Sequence, residues 1–183
     1  MKGSPVKYVL RLSLTLFAVT ALVAAALAGV NAITKDRIRQ LKQEKIQTAI
    51  AQVLPGAEVY GQAKFTDTTG TVKTVYESDK GYAVEVAPSG FGGTITMMVG
   101  ITHEGKVSGT VIISHTETAG LGSVAAADSA AGEAFREQFV GAAGSLAVDK
   151  DGGSIDSITS ATITSRAVVA GVNAALEAVK NLG

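Results

Sequence analysis

Hydrophobic residues crowd the N-terminal end of the chain. From Leu12 to Ile33 no residue is charged, and most are Leu, Val, Ala, Ile or Phe. At about 1.5 Å rise per residue, a helix over this run crosses the roughly 30 Å hydrocarbon core of a bilayer. A cleaved signal peptide is the competing reading, because Ala26-Leu27-Ala28 resembles a small-residue cleavage site. The anchor is favoured, since the apolar run continues past that site to Ile33, beyond a usual signal core. Residues 1–11 then form a short stub and 12–33 a transmembrane helix. Ala21, Ala25 and Gly29 recur every four residues on one face of that helix. Such spacing admits a second helix at close range; the alternative is that alanine is simply common here.

The pattern changes after the span. Over 34–56 a connecting helix is expected, with Ile38, Leu41, Ile46, Ala49, Ile50 and Val53 on one stripe and Pro55-Gly56 as its stop. It is either a stalk or a helix packed on the domain at 57–183. Runs rich in Val, Ile, Thr and Tyr at 58–65, 72–77, 81–87, 94–101 and 106–113 predict strands. Their short connections predict antiparallel pairing. A helix is expected at 128–140, burying Ala131, Ala134, Phe135 and Phe139. Another is expected from Thr164 to Lys180, with Val168, Val169, Val172, Leu176 and Val179 as its apolar stripe. The fold class is α+β: one N-terminal transmembrane helix, an antiparallel sheet and a C-terminal helix.

Composition narrows the chemistry. Lys plus Arg is 16 and Asp plus Glu is 16 among 183 residues, so the basic footprint of a nucleic-acid binder is missing. The hydrophobic share of 46% argues against disorder. With no cysteine and two histidines, His103 and His115, thiolate chemistry and a multi-His metal site are not expected. Redox chemistry would need a bound organic cofactor. Orientation is not decided by charge: Lys2, Lys7 and Arg11 precede the span, and Lys35, Arg37, Arg39, Lys42 and Lys45 follow it. A short stub before a signal-like run favours a cytoplasmic N-terminus and an exported domain.

Residues 156–165 read Asp-Ser-Ile-Thr-Ser-Ala-Thr-Ile-Thr-Ser at the mouth of the last helix. A helix N-terminus presents unpaired N–H groups and partial positive charge, which suits phosphate. Ordinary side-chain capping by Ser or Thr is the competing explanation.

Thr159-Ser160-Ala161-Thr162, followed by Ile163-Thr164-Ser165, resembles the flavin-attachment motif of the FMN-binding domain family. That family includes the G subunit of the Rnf ion-translocating ferredoxin:NAD oxidoreductases and the C subunit of sodium-pumping NADH:quinone reductases. Its pattern is Ser/Thr-Gly-Ala-Thr, often preceded by an Asp, here Asp156. Ser160 departs from it, placing a Cβ where the family keeps glycine, which bears on the efficiency of attachment. His115-Thr116-Glu117-Thr118-Ala119-Gly120-Leu121-Gly122 is similar to the family's His-x-Glu-Thr-Pro-Gly-Leu-Gly segment. Gly90-Phe91-Gly92-Gly93 is similar to its glycine-aromatic turn. The G-type branch fits better, because the chain is short and carries the His-x-Glu-Thr segment.

The resemblance implies FMN joined by a phosphoester to Thr162. The remaining site candidates are Thr159, Ser160, Ala161, Thr164, Ser165, His115, Glu117, Leu121 and Gly122. His115 and Glu117 either line the flavin or anchor their loop. Gly120 and Gly122 are assigned to turn geometry, and Tyr82 and Phe91 to core packing rather than ring stacking. Implied partners are a flavin transferase acting on FAD with Mg²⁺, membrane lipid, and the integral and redox subunits of a complex coupling ferredoxin and NAD chemistry to Na⁺ or H⁺ transport. No independent catalytic site is expected. The alternatives are a C-type subunit of a quinone reductase and a non-redox scaffold whose hydroxyl cluster is only a cap.

Overall fold

The computed structural model describes residues 5–182; residues 1–4 of the stub, including Lys2, and Gly183 lie outside it. The chain divides into two units at Glu44/Lys45. Helix α1 (Pro5–Val53) supplies the first unit and the opening of the second.

In the first unit Leu12, Leu16, Phe17, Leu22, Leu27 and Ile33 are exposed. A soluble helix rarely leaves so long an apolar surface bare, and this one is long and apolar enough to cross a membrane. Three of its hydroxyls are satisfied internally. Thr15, Thr20 and Thr34 donate to the carbonyls of Leu12, Leu16 and Val30 at 2.8, 3.0 and 2.8 Å. They therefore bring no unpaired donor into lipid. Ala21, Ala25 and Gly29 are exposed in one row.

The second unit is built on a five-stranded antiparallel meander in the order β1-β2-β3-β4-β5. The strands are β1 (Val59–Ala63), β2 (Val72–Ser78), β3 (Gly81–Val86), β4 (Thr96–Thr102) and β5 (Val107–Ser114). Each falls inside or within a residue of its expected run. β3 and β4 are buried along nearly their whole length, because both sheet faces are covered. On one face Ala49, Ile50, Val53 and Leu54 pack against Ala83 and Met98, with Ile46 at the edge. The packed stripe begins at Ile46; Ile38 and Leu41, expected on it, are exposed. α1 stops where Pro55-Gly56 predicts, with Gly56 left-handed at φ 66°. Ser108 Oγ donates to the terminal Val53 carbonyl at 2.6 Å. Gly100 lies beneath that carbonyl, and a Cβ there would come within 2.6 Å of it.

The opposite face buries Val75, Val84, Val86, Met97, Val99 and Ile101 against the last helix, α3 (Thr162–Lys180). Val168, Val169 and Val172 are buried in this contact, with Leu176 and Val179 partly so. α3 begins at Thr162, two residues before the expected start, because Ser160 turns left-handed and Ala161 becomes the residue preceding the helix.

The helix expected at 128–140 is shorter, α2 (Ala130–Glu137), and is capped by Ser129, which accepts from Gly132 N at 3.3 Å. Its inward residues are Gly132 and Phe135, followed by Phe139, whereas Ala131 and Ala134 are exposed. Gly132 explains the rotation. It lies against the carbonyls of Val124 and Ala127, where any Cβ would collide. The smallest residue therefore points inward, and the two alanines expected there turn out.

Candidate functional site

Three separated segments meet at the start of α3. The Gly90–Gly93 turn precedes β4, the His115–Gly122 loop follows β5, and residues 156–165 lead into the helix. Glu117 ties them together. Its side chain is buried at 8% exposure. One carboxylate oxygen, Oε1, accepts from Gly92 N at 2.9 Å. The other, Oε2, accepts a short hydrogen bond from Thr164 Oγ1. Next door, Thr116 Oγ1 donates to the Gly92 carbonyl at 2.9 Å, so both backbone polar groups of Gly92 are engaged by this loop. The fit depends on missing side chains. A Cβ on Gly92 would collide with the Thr116 carbonyl, and one on Gly122 with Thr164 Oγ1 and Glu117.

The hydroxyls of the cluster divide by neighbour. Ser165 is fully buried; its Oγ donates to Ala161 O at 3.1 Å and accepts from Ile158 N at 3.0 Å. Thr164 is committed to Glu117. Among the described residues neither they nor any other side chain caps α3, and Ala161 provides no cap. This is the outcome that ordinary capping does not predict. Thr162, the first helical residue, carries a hydroxyl with no partner among the described residues. The first turn of a helix has N–H groups without intrahelical acceptors, so α3 opens with free donors beside a free hydroxyl.

A cavity of about 340 Å³ lies at this point, and Thr162 is in its wall. Of the expected residues, Glu117, Leu121, Gly122, Ser160, Ala161, Thr162 and Thr164 line it. Thr159 instead lines an adjoining groove with Asp156, Ala131 and Ala134. Ser165 lies beneath the site and secures its floor. His115 is outside: its Nδ1 accepts from Glu117 N at 3.2 Å, so it anchors the loop. Gly120 does serve the turn, at φ 75°; Gly122 serves close packing against Glu117 and Thr164.

Phe91 is the correction of most consequence. Expected in the core, it is 68% exposed and stands in the cavity wall. It sits between glycines in a turn, where no strand alternation can bury it. Leu121 and Ile163 are also exposed at the same cavity. Ile163 and Thr118, another lining residue, were not among the expected site residues; the helix register that exposes Ile163 follows only from the earlier start of α3. Tyr82 is elsewhere, packed edge-on against His103 at 5.5 Å in a different cavity toward the C-terminal half of α3.

Ser160 has φ 60°, the one left-handed non-glycine among the described residues. Its side chain is exposed, so the position requires a backbone conformation rather than a lack of space. That is the physical reason a glycine suits it. The approach to Thr162 is braced from one short turn, Asp149–Asp151. Asp149 Oδ1 accepts from Ser157 N at 3.0 Å, and hydrogen bonding to Ser157 and Lys150 holds its carboxyl far below the usual carboxylate range. Asp151 is paired with Arg166, whose hydrogen bonds and charge lower the Asp151 pKa in turn.

An acceptor-free hydroxyl, uncapped helix amides, glycines at close approach and an exposed apolar rim form a set that fits a planar, apolar ring system bearing a phosphate. Residues 90–177, spanning all three segments, match the FMN-binding domain family, and residues 1–53 match the RnfG N-terminal region. The chain is 32% identical to the G subunit of the Na⁺-translocating ferredoxin:NAD⁺ oxidoreductase complex of Acetobacterium woodii, over 96% of this chain and 94% of that one. It is 40% identical to the proton-translocating counterpart of Clostridium ljungdahlii, over 84% and 82%. Against the G subunit of the ion-translocating oxidoreductase complex of Vibrio atlanticus it is 32% identical, over 87% and 86%.

Proposed function

Because the chain belongs to the family of G subunits of ion-translocating ferredoxin:NAD oxidoreductase complexes, we propose that Thr162 carries its FMN covalently and that the membrane-anchored domain relays electrons within such a complex. The match of both the N-terminal region and the FMN-binding domain favours this branch over a C-type quinone reductase component and over a non-redox scaffold.

The observation that carries the attachment is the difference between neighbouring hydroxyls. Thr164 and Ser165 are engaged inward, whereas the hydroxyl of Thr162, which lines the cavity at the head of α3, has no partner among the described residues. Thr162 Oγ1 forms the new bond to the flavin-side phosphorus of FAD. The pyrophosphate P–O bond breaks, AMP leaves, and the hydroxyl proton is released. No electron changes hands, and a separate flavin transferase using Mg²⁺ supplies the catalysis. Afterwards the first-turn amides of α3 are positioned to receive phosphate oxygens, and Phe91, Leu121 and Ile163 offer apolar surface to the ring. Bound FMN supplies one- and two-electron transfer. The partners are the integral and redox subunits of the complex, the transferase and membrane lipid, and the coupling ion is Na⁺ or H⁺.

The test is Thr162→Ala in the full chain, co-produced with a flavin transferase. Flavin fluorescence should remain with the denatured parent and be lost from the variant, while thermal stability stays nearly the same. Equal fluorescence in both would remove Thr162 from the assignment. An extracytoplasmic domain is part of this reading, resting on the signal-like apolar run from Leu12 to Ile33. A reporter fused after Gly183 should be active only when exported, and a cytoplasmic signal from the intact fusion would reverse the topology.

A further inference from the structure

Arg166 follows Thr162 by four residues, so the two share one face of α3. Helical side chains lean toward the N-terminus, so the register sets Arg166 one turn beyond Thr162 on the side from which its side chain can extend toward that first turn. Its guanidinium is already held. Nε donates to Asp151 Oδ2 at 2.7 Å and Nη2 to Asp151 Oδ1 at 2.5 Å. That fork uses one edge of the group. Nη1, with two N–H donors, faces no acceptor among the described residues.

Stability is a modest part of the explanation: both side chains are substantially exposed, at 50% and 42%, and solvent screening limits even a two-pronged pair. A cation near the start of a helix is also disfavoured by the helix dipole. An anion on Thr162 reverses that sign. The same acidic turn holds the chain on both sides of Thr162, through Asp149 to Ser157 before it and through Asp151 to Arg166 after it.

We propose that Arg166, splinted by Asp151, is the counter-ion of the phosphodiester on Thr162, offering Nη1 as its donor. This rests on the ester assignment for Thr162 and adds a recognition residue to it. Asp151 acts through Arg166 as a positioning residue. The pre-held fork reduces the rotamer freedom lost when the phosphate arrives.

The experiment compares the parent with Arg166→Gln, Arg166→Lys and Asp151→Asn, each as the full chain with a flavin transferase, Mg²⁺ and FAD. Covalent flavin is followed over time by intact mass of the denatured chain, and melting is recorded with and without flavin. Arg166→Gln should be flavinylated about ten-fold more slowly, the scale of a lost charged hydrogen bond. It should also lose the rise in melting temperature that attachment gives the parent, while melting like the parent before attachment. Arg166→Lys, which keeps the charge without the fork, should recover part of both effects. Asp151→Asn should slow attachment by a few-fold. Parent-like rate and parent-like thermal gain in Arg166→Gln would overturn the proposal. If that variant does not fold, the same parent-like behaviour in Asp151→Asn overturns it. A parent chain that never acquires flavin defeats the Thr162 ester itself, a separate and recognisable failure.

Discussion

Thr164 donates its hydroxyl hydrogen to the buried carboxylate of Glu117, a residue 47 positions earlier in the chain. The bond fixes the third residue of α3 to the loop after β5. Through Gly92 the same carboxylate reaches the turn before β4. One acidic side chain thus sets the register of the helix whose first residue is Thr162.

Removing that carboxylate should be costly. Glu117→Ala leaves the Thr164 hydroxyl and the Gly92 N–H without their partner, at about 1–3 kcal/mol for each group that stays buried. The melting temperature should fall by at least several degrees, on a scale of roughly 3–5 °C per kcal/mol for a domain of this size. Flavin attachment should fall with it, although Thr162 is intact. Unchanged melting in a thermal scan would show that the link carries no stability.

Ser160→Gly should act in the opposite direction. A non-glycine residue in the left-handed region costs about 1–2 kcal/mol, part of which glycine returns as backbone entropy in the unfolded chain. A gain of about 1 kcal/mol, or a few degrees in melting, is expected. Faster flavin attachment should accompany it if the turn before Thr162 is better populated. A lower melting temperature for the glycine variant would refute the strain argument.

Phe91→Ala separates the ring environment from the covalent bond. The side chain is 68% exposed, so its loss should change stability by less than about 0.5 kcal/mol. Attachment, read on the denatured chain, should persist. Native flavin fluorescence and its quenching by iodide should both rise as the ring loses its apolar neighbour. Identical native spectra in parent and variant would place the ring away from Phe91.

The Asp149 link should show in acid. Its folded pKa is depressed from the ordinary 3.8, with hydrogen bonding to Ser157 as the main cause. Its contribution is therefore fully present above 3.8 and is lost only as pH falls through the lower folded value. The Ser157 amide proton, followed by NMR in the folded protein, should hold its shift well below about pH 4 and move only at more acid pH, as Asp149 protonates. Asp149→Asn should flatten that response. An Asp149 titration at the ordinary value would contradict it.

Periodicity carried much of the architecture. The span, five strands and two helices are visible as apolar patterns because burial repeats with the backbone period. What escaped it depends on contacts between distant segments. Ala131 and Ala134 look like core until Gly132 is seen against the carbonyls of Val124 and Ala127. Phe91 looks buried by residue type alone, yet its turn offers no interior. At the site, the hydroxyl run was legible, but not the division of labour within it. Only the fold brings Glu117 to Thr164 and so separates an engaged hydroxyl from the unengaged one two residues earlier.

The meander pairs each strand with its sequence neighbour, so it can assemble progressively from local contacts. The wall containing Thr162 cannot. α3 is the final helix of the described chain, and its first turn is secured only when it meets the loop after β5. A chain interrupted before α3, or one whose α3 has not docked, presents no such hydroxyl in such a cavity. Modification at this position would therefore mark completed domains, and an enzyme acting there would need no separate means of inspecting its substrate.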